Sequence, residues 1–152
     1  MIISIITVCK NSVKTIRDTI DSVLLQQYPA LEYIIIDGAS TDGTLDLIRG
    51  YGSQISRVIS EPDSGIYEGM NKGIGLATGE IIGFLNSDDF YSNNSVLKQV
   101  SGVFEEDYIM ACYAQLCYVE FKNTDRIVRY WKSSSFQPFD FKKGWCPPHQ
   151  TF

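Results

Sequence analysis

Four short apolar runs punctuate the first 90 residues, and apolar positions at helical spacing fill the gaps between them. Residues 2–8, Ile-rich and continuous, read as a buried strand. Ile16, Ile20, Val23 and Leu24 then recur at the i, i+4, i+7, i+8 spacing of an amphipathic helix, with Asn11 or Ser12 as its cap. Pro29 ends that segment, and Tyr33-Ile34-Ile35-Ile36 makes a second buried strand. A polar, Gly-containing loop over residues 37–44 leads into a helix with Leu45 and Ile48 inward. Residues 55–60 form a third, weaker strand. After Gly65 the spacing predicts a helix with Ile66, Met70, Ile74 and Ala77 on one face and Gly79 as its C′ stop, then a fourth strand over residues 80–85. Val96, Val100, Val103 and Phe104 define another amphipathic helix. Continuous apolar strands joined by helices mean an α/β fold, with a mainly parallel sheet covered on both faces.

The pattern changes after residue 105. Residues 108–121 and 127–131 are rich in Tyr, Val, Ile and Phe and alternate without a helical period, which predicts one or two further strands as a hairpin or edge pair. Residues 133–144 read as loop, and residues 147–152 as neither helix nor polar tail. There is no internal repeat and no low-complexity segment.

A length of 152 residues fits one domain with its own core, and 44% hydrophobic with 20% charged residues argues against disorder. The formal charge of −5 argues against a nucleic-acid-binding surface and implies that a phosphorylated ligand would be held with a metal ion's help. The apolar start, Met1 to Ile6, lacks a basic flank and is too short for a signal peptide or a membrane span. Cys9, Cys112, Cys117 and Cys146 show no metal-ligand spacing and read as reduced, mostly buried thiols of a cytoplasmic protein. Peripheral association with the inner face of a membrane stays compatible with all of this.

The chemistry concentrates where the strands end. In an open α/β sheet, ligands bind outside the carboxyl ends of the strands, near the point where strand order reverses. Thr7 and Asn11 follow the first strand, Asp37 the second, Asp63 the third, and Asn86-Ser87-Asp88-Asp89 the fourth, all on one sheet edge. Adjacent carboxylates at a strand's end either cap the next helix or hold a cation. Asp88 is the choice for a direct ligand of Mg²⁺ or Mn²⁺; Asp89 binds through water, orients Asp88, or caps the helix beginning near Asn93. Cys9-Lys10-Asn11-Ser12 is not a glycine-rich dinucleotide turn, and neither a phosphate-loop motif nor a Gly-x-Ser-x-Gly elbow is present. His149 is the only histidine.

Ser4-Ile5-Ile6-Thr7-Val8, the block from Ile36 to Thr44, and the run from Glu61 to Asp89 together resemble family 2 glycosyltransferases of the GT-A fold, a likeness covering about residues 2–100. Asp63-Ser64-Gly65-Ile66-Tyr67-Glu68-Gly69-Met70-Asn71-Lys72-Gly73 is similar to the bacterial subgroup that builds surface polysaccharides. The resemblance implies a Rossmann-like, mainly parallel sheet flanked by helices, with extra mixed or antiparallel strands in the C-terminal third. It implies one domain over residues 1–152, in which 1–105 bind the nucleotide-sugar and 106–152 begin an incomplete acceptor half. Thr7, Val8, Asn11, Asp37, Asp63, Asn71, Lys72, Asn86 and Ser87 would form the donor pocket, and Asp88 with Asp89 the metal end. Asn86 stands where the family's Asp-x-Asp motif has its first acid, which removes one negative charge.

Plainer readings stand beside these. Asp37 also suits a turn, Asp63 a helix N-cap, Lys72 a solvated helix surface, and Asn71 shares its helix face with Tyr67 through packing alone. His149 is either an acceptor-side or metal-proximal group, or an exposed loop histidine.

The expected reaction is inverting transfer from a nucleoside-diphosphate sugar, UDP-linked by preference, to a saccharide or lipid-linked acceptor, with no nucleic-acid partner. Its general base is expected beyond Phe152, since Asp125 and Asp140 match no motif, so the chain is expected to be a truncated form. The alternative is a catalytically impaired nucleotide-sugar-binding fragment or interaction module. A sugar-phosphate nucleotidyltransferase lacks its basic Gly-rich loop here, and a phosphoacceptor receiver domain lacks its acidic pair after the first strand.

Overall fold

The computed structural model describes residues 1–137, 139–149 and 151–152. Four parallel strands form the central sheet: β1 (Ile3–Cys9), β2 (Leu31–Asp37), β3 (Arg57–Ser60) and β4 (Ile81–Phe84), in the order β3-β2-β1-β4. The reversal of direction falls at β1, between β2 and β4. Alternate residues of β1 point to opposite faces, as a strand's period of two requires. Ile3, Ile5 and Cys9 join a core with Ile16, Ile20 and Val23 of α1 (Ile16–Leu24), Ile48 of α2 (Thr44–Arg49), and Leu97 and Val100 of α4 (Val96–Val103). Ile6 joins Ile34 and Ile36 on the other face, beneath α3 (Ile66–Leu76). Burial on both faces explains why β1 and β2 read as unbroken apolar runs.

The helix faces differ from the sequence expectation in two places. On α3 the buried residues are Gly69 and Gly73, whereas Ile66 and Ile74 are exposed. A Cβ on Gly69 would stand 2.6 Å from Val8 Cγ1, and one on Gly73 would overlap Ile6 Cγ2, so the missing side chains let the helix axis close onto the sheet. On α4 the inward residues are Leu97 and Val100, and Val103 faces solvent. Gly79 is not a C′ stop. The helix ends at Leu76, and Gly79 is needed because its Cα approaches the backbone of Ile2 and Ser4. Asn11 and Ser12 do not cap α1 with their side chains; its N-cap is Thr15, and the Ser12 carbonyl accepts the N–H groups of Thr15 and Ile16.

Beyond α4 an antiparallel hairpin, β5 (Leu116–Glu120) with β6 (Asn123–Trp131), forms a separate two-stranded sheet, which is the expected hairpin with a shorter first strand. Residues 140–143 form a short 3-10 turn. The chain then returns to the main body. Cys112 and Phe152 exchange backbone hydrogen bonds of 2.9 Å, and the Phe152 ring packs on Gly83 of β4. No described helix is long and apolar enough to cross a membrane.

Candidate functional site

Register brings three strand ends level. Cys9 lies opposite Asp37, and Asp37 opposite Ser60. Residues paired across parallel strands share a face, so these side chains meet. The Ser60 hydroxyl donates to Asp37 Oδ2 at 2.7 Å, and the Cys9 thiol approaches Oδ1 at 3.7 Å. The Ser40 N–H adds a third donor, 3.1 Å from Oδ2. Asp37 is fully buried and ties the ends of β1, β2 and β3 to the following loop. Burial, then the Asp37 charge, pushes the Cys9 thiol far above its usual range and keeps it neutral.

On its other edge β1 outruns β4. Pairing stops at Ile6 opposite Phe84, so Thr7 to Cys9 project past the end of β4 and open a crevice there. A cleft of about 410 Å³ occupies this edge. Val8, Cys9, Lys10 and Ser12 from the end of β1 form one wall. Asp63, Ser64, Gly65 and Ile66, at the entry to α3, form another, and Ser87 closes it after β4. The hydroxyls of Ser12 and Ser87 are 2.9 Å apart, bridging the two sides of the crevice.

Its α3 wall is built tightly. Gly65 has φ 137°, a conformation that L side chains rarely adopt, and its N–H donates to Asp63 Oδ1 at 3.1 Å. Asp63 rests on Gly38, where a Cβ would stand 2.7 Å from Oδ2. Glu68 Oε2 reaches back to accept from both the N–H and the hydroxyl of Ser64, at 2.8 and 2.5 Å, which ties the first turn of α3 to the residue before its N-cap. The Ser64 hydroxyl, with Lys72 next, holds the Glu68 carboxyl down at about 2.

Of the residues expected in a donor pocket, Val8, Asp63 and Ser87 line the cleft. The others do not. The Thr7 side chain is buried, 3.1 Å from the Tyr33 hydroxyl. Asn11 braces the loop after β2, accepting from the Thr41 N–H and donating its own N–H to Ser40 Oγ. Asn71 is exposed on α3. Lys72 is held between Glu61 and Glu68, 2.9 Å from each. Lys10, Ser12 and Ser64 also line the cleft, and none of them was expected in the donor pocket from the sequence. Lys10 was findable, because it directly follows β1 on the edge already singled out.

Past Ser87 the carboxylates separate in role. Asp89 Oδ2 accepts from Asn86 Nδ2 at 3.1 Å and lies 2.9 Å from His149 Nε2. Asp88 is exposed, and no hydrogen bond or ion pair to it occurs among the described residues. No group of three or more His, Cys, Asp or Glu side chains among the described residues forms a metal cage. A second cavity of about 410 Å³ lies between α1 and the segment after β4. The Gln26 amide lining it is spent on the carbonyls of Ser22 and Asn93 and the N–H of Leu97, so that side chain is structural. Two cysteines, Cys117 and Cys146, are exposed, contrary to the expectation that most are buried.

The sequence profile described as Glycosyl transferase family 2 matches residues 4–149. The chain belongs to glycosyl transferase family 2. The chain is 37% identical over 107 residues to the "Putative teichuronic acid biosynthesis glycosyltransferase TuaG" of Bacillus subtilis (strain 168), covering 68% of this chain and 42% of that one. It is 37% identical over 98 residues to an uncharacterized glycosyltransferase of Mycobacterium tuberculosis, covering 64% and 37%. The chain thus spans about two-fifths of the length of the curated relatives it matches. Among solved structures, S. aureus TarS 1-349 in complex with UDP-GlcNAc superposes with a TM-score of 0.69 at 27% identity, over 74% of this chain and 34% of that one. The mannosyltransferase PcManGT of Pyrobaculum calidifontis shares the fold, with a TM-score of 0.68 at 23% identity over 80% and 37%. The parallel sheet and the separate hairpin of this family 2 chain therefore belong to the GT-A architecture.

Proposed function

We propose that the cleft binds a nucleoside-diphosphate sugar, UDP-linked by preference, and that the chain carries the donor half of an inverting glycosyltransferase of surface polysaccharide synthesis. The observation that carries this reading is the cleft itself. It sits at the strand-order reversal, walled by β1 and the entry to α3, and it ends at Ser87, one residue before an exposed carboxylate. TarS, whose structure was solved with UDP-GlcNAc, supports a uridine donor. The relative TuaG, named for teichuronic acid biosynthesis, supports a saccharide or lipid-linked acceptor. Residues 1–105 would serve the donor, and residues 106–152, with His149, would begin the acceptor side at the inner membrane face.

The donor set fits a divalent ion only as a shared site. Mg²⁺ is commonly held by one or two carboxylates plus substrate phosphates, and Asp88 offers one open carboxylate with Asp89 next to it. When bound there, Mg²⁺ or Mn²⁺ would neutralise charge on the leaving diphosphate. The chain's own residues do the rest of the donor's positioning. Asp37 fixes the strand ends, Asp63 and Gly65 shape the nucleoside wall, and Asn86 with His149 holds Asp89. Inversion requires the acceptor oxygen to attack the anomeric carbon opposite the diphosphate while a base takes its proton. Asp63 is the only carboxylate among the described cleft residues, and it is pinned by Gly65 and Gly38. That favours, as a second reading, a module that binds donor without turning it over.

Thermal shift with UDP and GDP, each with and without Mn²⁺, tests the donor reading. Metal-dependent stabilisation by one of them, lost in Asp88→Ala, is the expected result; no stabilisation by either nucleotide sinks it. A product assay with UDP-sugars then separates the enzyme from the binding module.

A further inference from the structure

Lys10 is the only basic side chain among the described residues lining the cleft. It is exposed, and its ammonium makes no hydrogen bond or ion pair among the described residues. The other cation expected near the donor, Lys72, is committed to Glu61 and Glu68. The Lys10 main chain is tied through Ser12 to the segment that leads to Asp88. Ser12 Oγ reaches back to the Lys10 carbonyl at 3.4 Å and pairs with Ser87 Oγ at 2.9 Å, and Ser87 precedes Asp88. At the start of that same segment, the position equivalent to the family's first acid is the neutral Asn86.

From this juxtaposition we propose that Lys10 is the protein's own cation for the donor's diphosphate, and so reads the phosphates and not the base. The inference rests on the donor reading above. An ammonium is a compact, strongly hydrated point charge, suited to phosphate oxygens. Set beside a neutral amide where a second acid is expected, it offsets part of the negative charge that Asp63, Asp88 and Asp89 place around the cleft. Lys10 is a positioning residue here: it holds the leaving group and takes no proton.

Affinity for UDP and for uridine, measured by calorimetry in EDTA, separates phosphate from base recognition. The wild-type chain is compared with Lys10→Met, which keeps an unbranched stem of similar length, and with Lys98→Met on α4 as a remote control. The expected result is a UDP affinity weakened about tenfold in K10M, the scale of one charged hydrogen bond, with uridine affinity unchanged. K10M should also flatten the salt dependence of UDP binding, because one screened charge pair is gone. Should K10M weaken UDP and uridine equally, Lys10 lies over the base, and the assignment is overturned while the donor reading stands. An unchanged ratio of UDP to uridine affinity overturns it likewise. If the wild type binds neither compound, nor UDP after Mn²⁺ is added, the donor reading falls and takes the Lys10 assignment with it.

Discussion

His149 Nε2 lies 2.9 Å from Asp89 Oδ2, joining residues 60 positions apart. The same oxygen accepts from Asn86 Nδ2, so one carboxylate fastens the segment after β4 to the last described stretch of the chain. Both partners are partly exposed, and a contact of that kind contributes at most about 1 kcal/mol. His149→Ala should therefore lower Tm by no more than about 4 °C. Its larger effect should fall on Mn²⁺-dependent UDP stabilisation, since the carboxylate beside Asp88 loses one of its anchors. Differential scanning fluorimetry with and without UDP and Mn²⁺ reads both effects, and a change in Tm alone would reduce the contact to a structural tie.

Three glycines of one helix should respond in opposite directions to the same substitution. Gly69→Ala and Gly73→Ala place a methyl against Val8 and Ile6, in a core that cannot yield without moving α3. Each should cost about 1–3 kcal/mol in urea unfolding. Gly75 has nothing within 4 Å of the added Cβ, so Gly75→Ala should stabilise the helix by about 0.5–1 kcal/mol. Gly69→Ala should also weaken nucleotide binding, because Val8 forms a wall of the cleft.

That helix shows where the sequence was legible and where it was not. Ile66, Met70 and Ile74 follow a helical period, and periodicity alone puts them inward. The opposing period of Gly69 and Gly73 carries no apolar signal, yet a helix lying close on a sheet needs small residues at its contact face. Strand ends were easier: β2, β3 and β4 stop where polar residues begin, so Asp37, Asp63 and Ser87 could be placed at one edge without knowing strand order. Thr7 was harder. Its position beside the cleft is evident in the sequence, but only the sheet's alternation turns its hydroxyl inward to Tyr33. The His149 contact crosses too long a stretch of chain for any local pattern to register.

Asp37 presents a second kind of test, because it is fully buried and accepts from Ser60, Ser40 and the Cys9 thiol. Asp37→Asn keeps the shape but gives the site an amide donor where donors already converge. Hydrogen bonds to a charged group contribute about 1.5–3 kcal/mol, so D37N should destabilise by about that amount. Ser60→Ala, which removes one donor and keeps the carboxylate, should cost less. Urea unfolding of both variants decides whether Asp37 acts through the fold. A D37N chain of undiminished stability that no longer binds UDP would instead make it a direct contact with the nucleoside.

Acid should reveal the bracket at the start of α3. The Ser64 hydroxyl, then Lys72 and the Ser64 N–H, hold the Glu68 carboxyl at about 2, against an ordinary value of 4.5. A carboxylate depressed on folding stabilises the native state above its unfolded value, and that contribution disappears as pH falls through the folded one. The wild-type chain should therefore keep its full advantage over Glu68→Gln at pH 6, and the difference should shrink between pH 4.5 and about 2 as the carboxylate protonates. Glu68 is on the surface, so salt should narrow the gap at pH 6 as well. Thermal melts of both chains across this pH range measure the effect. A difference that stays constant down to pH 2 would mean that Glu68 contributes through packing and not through its charge.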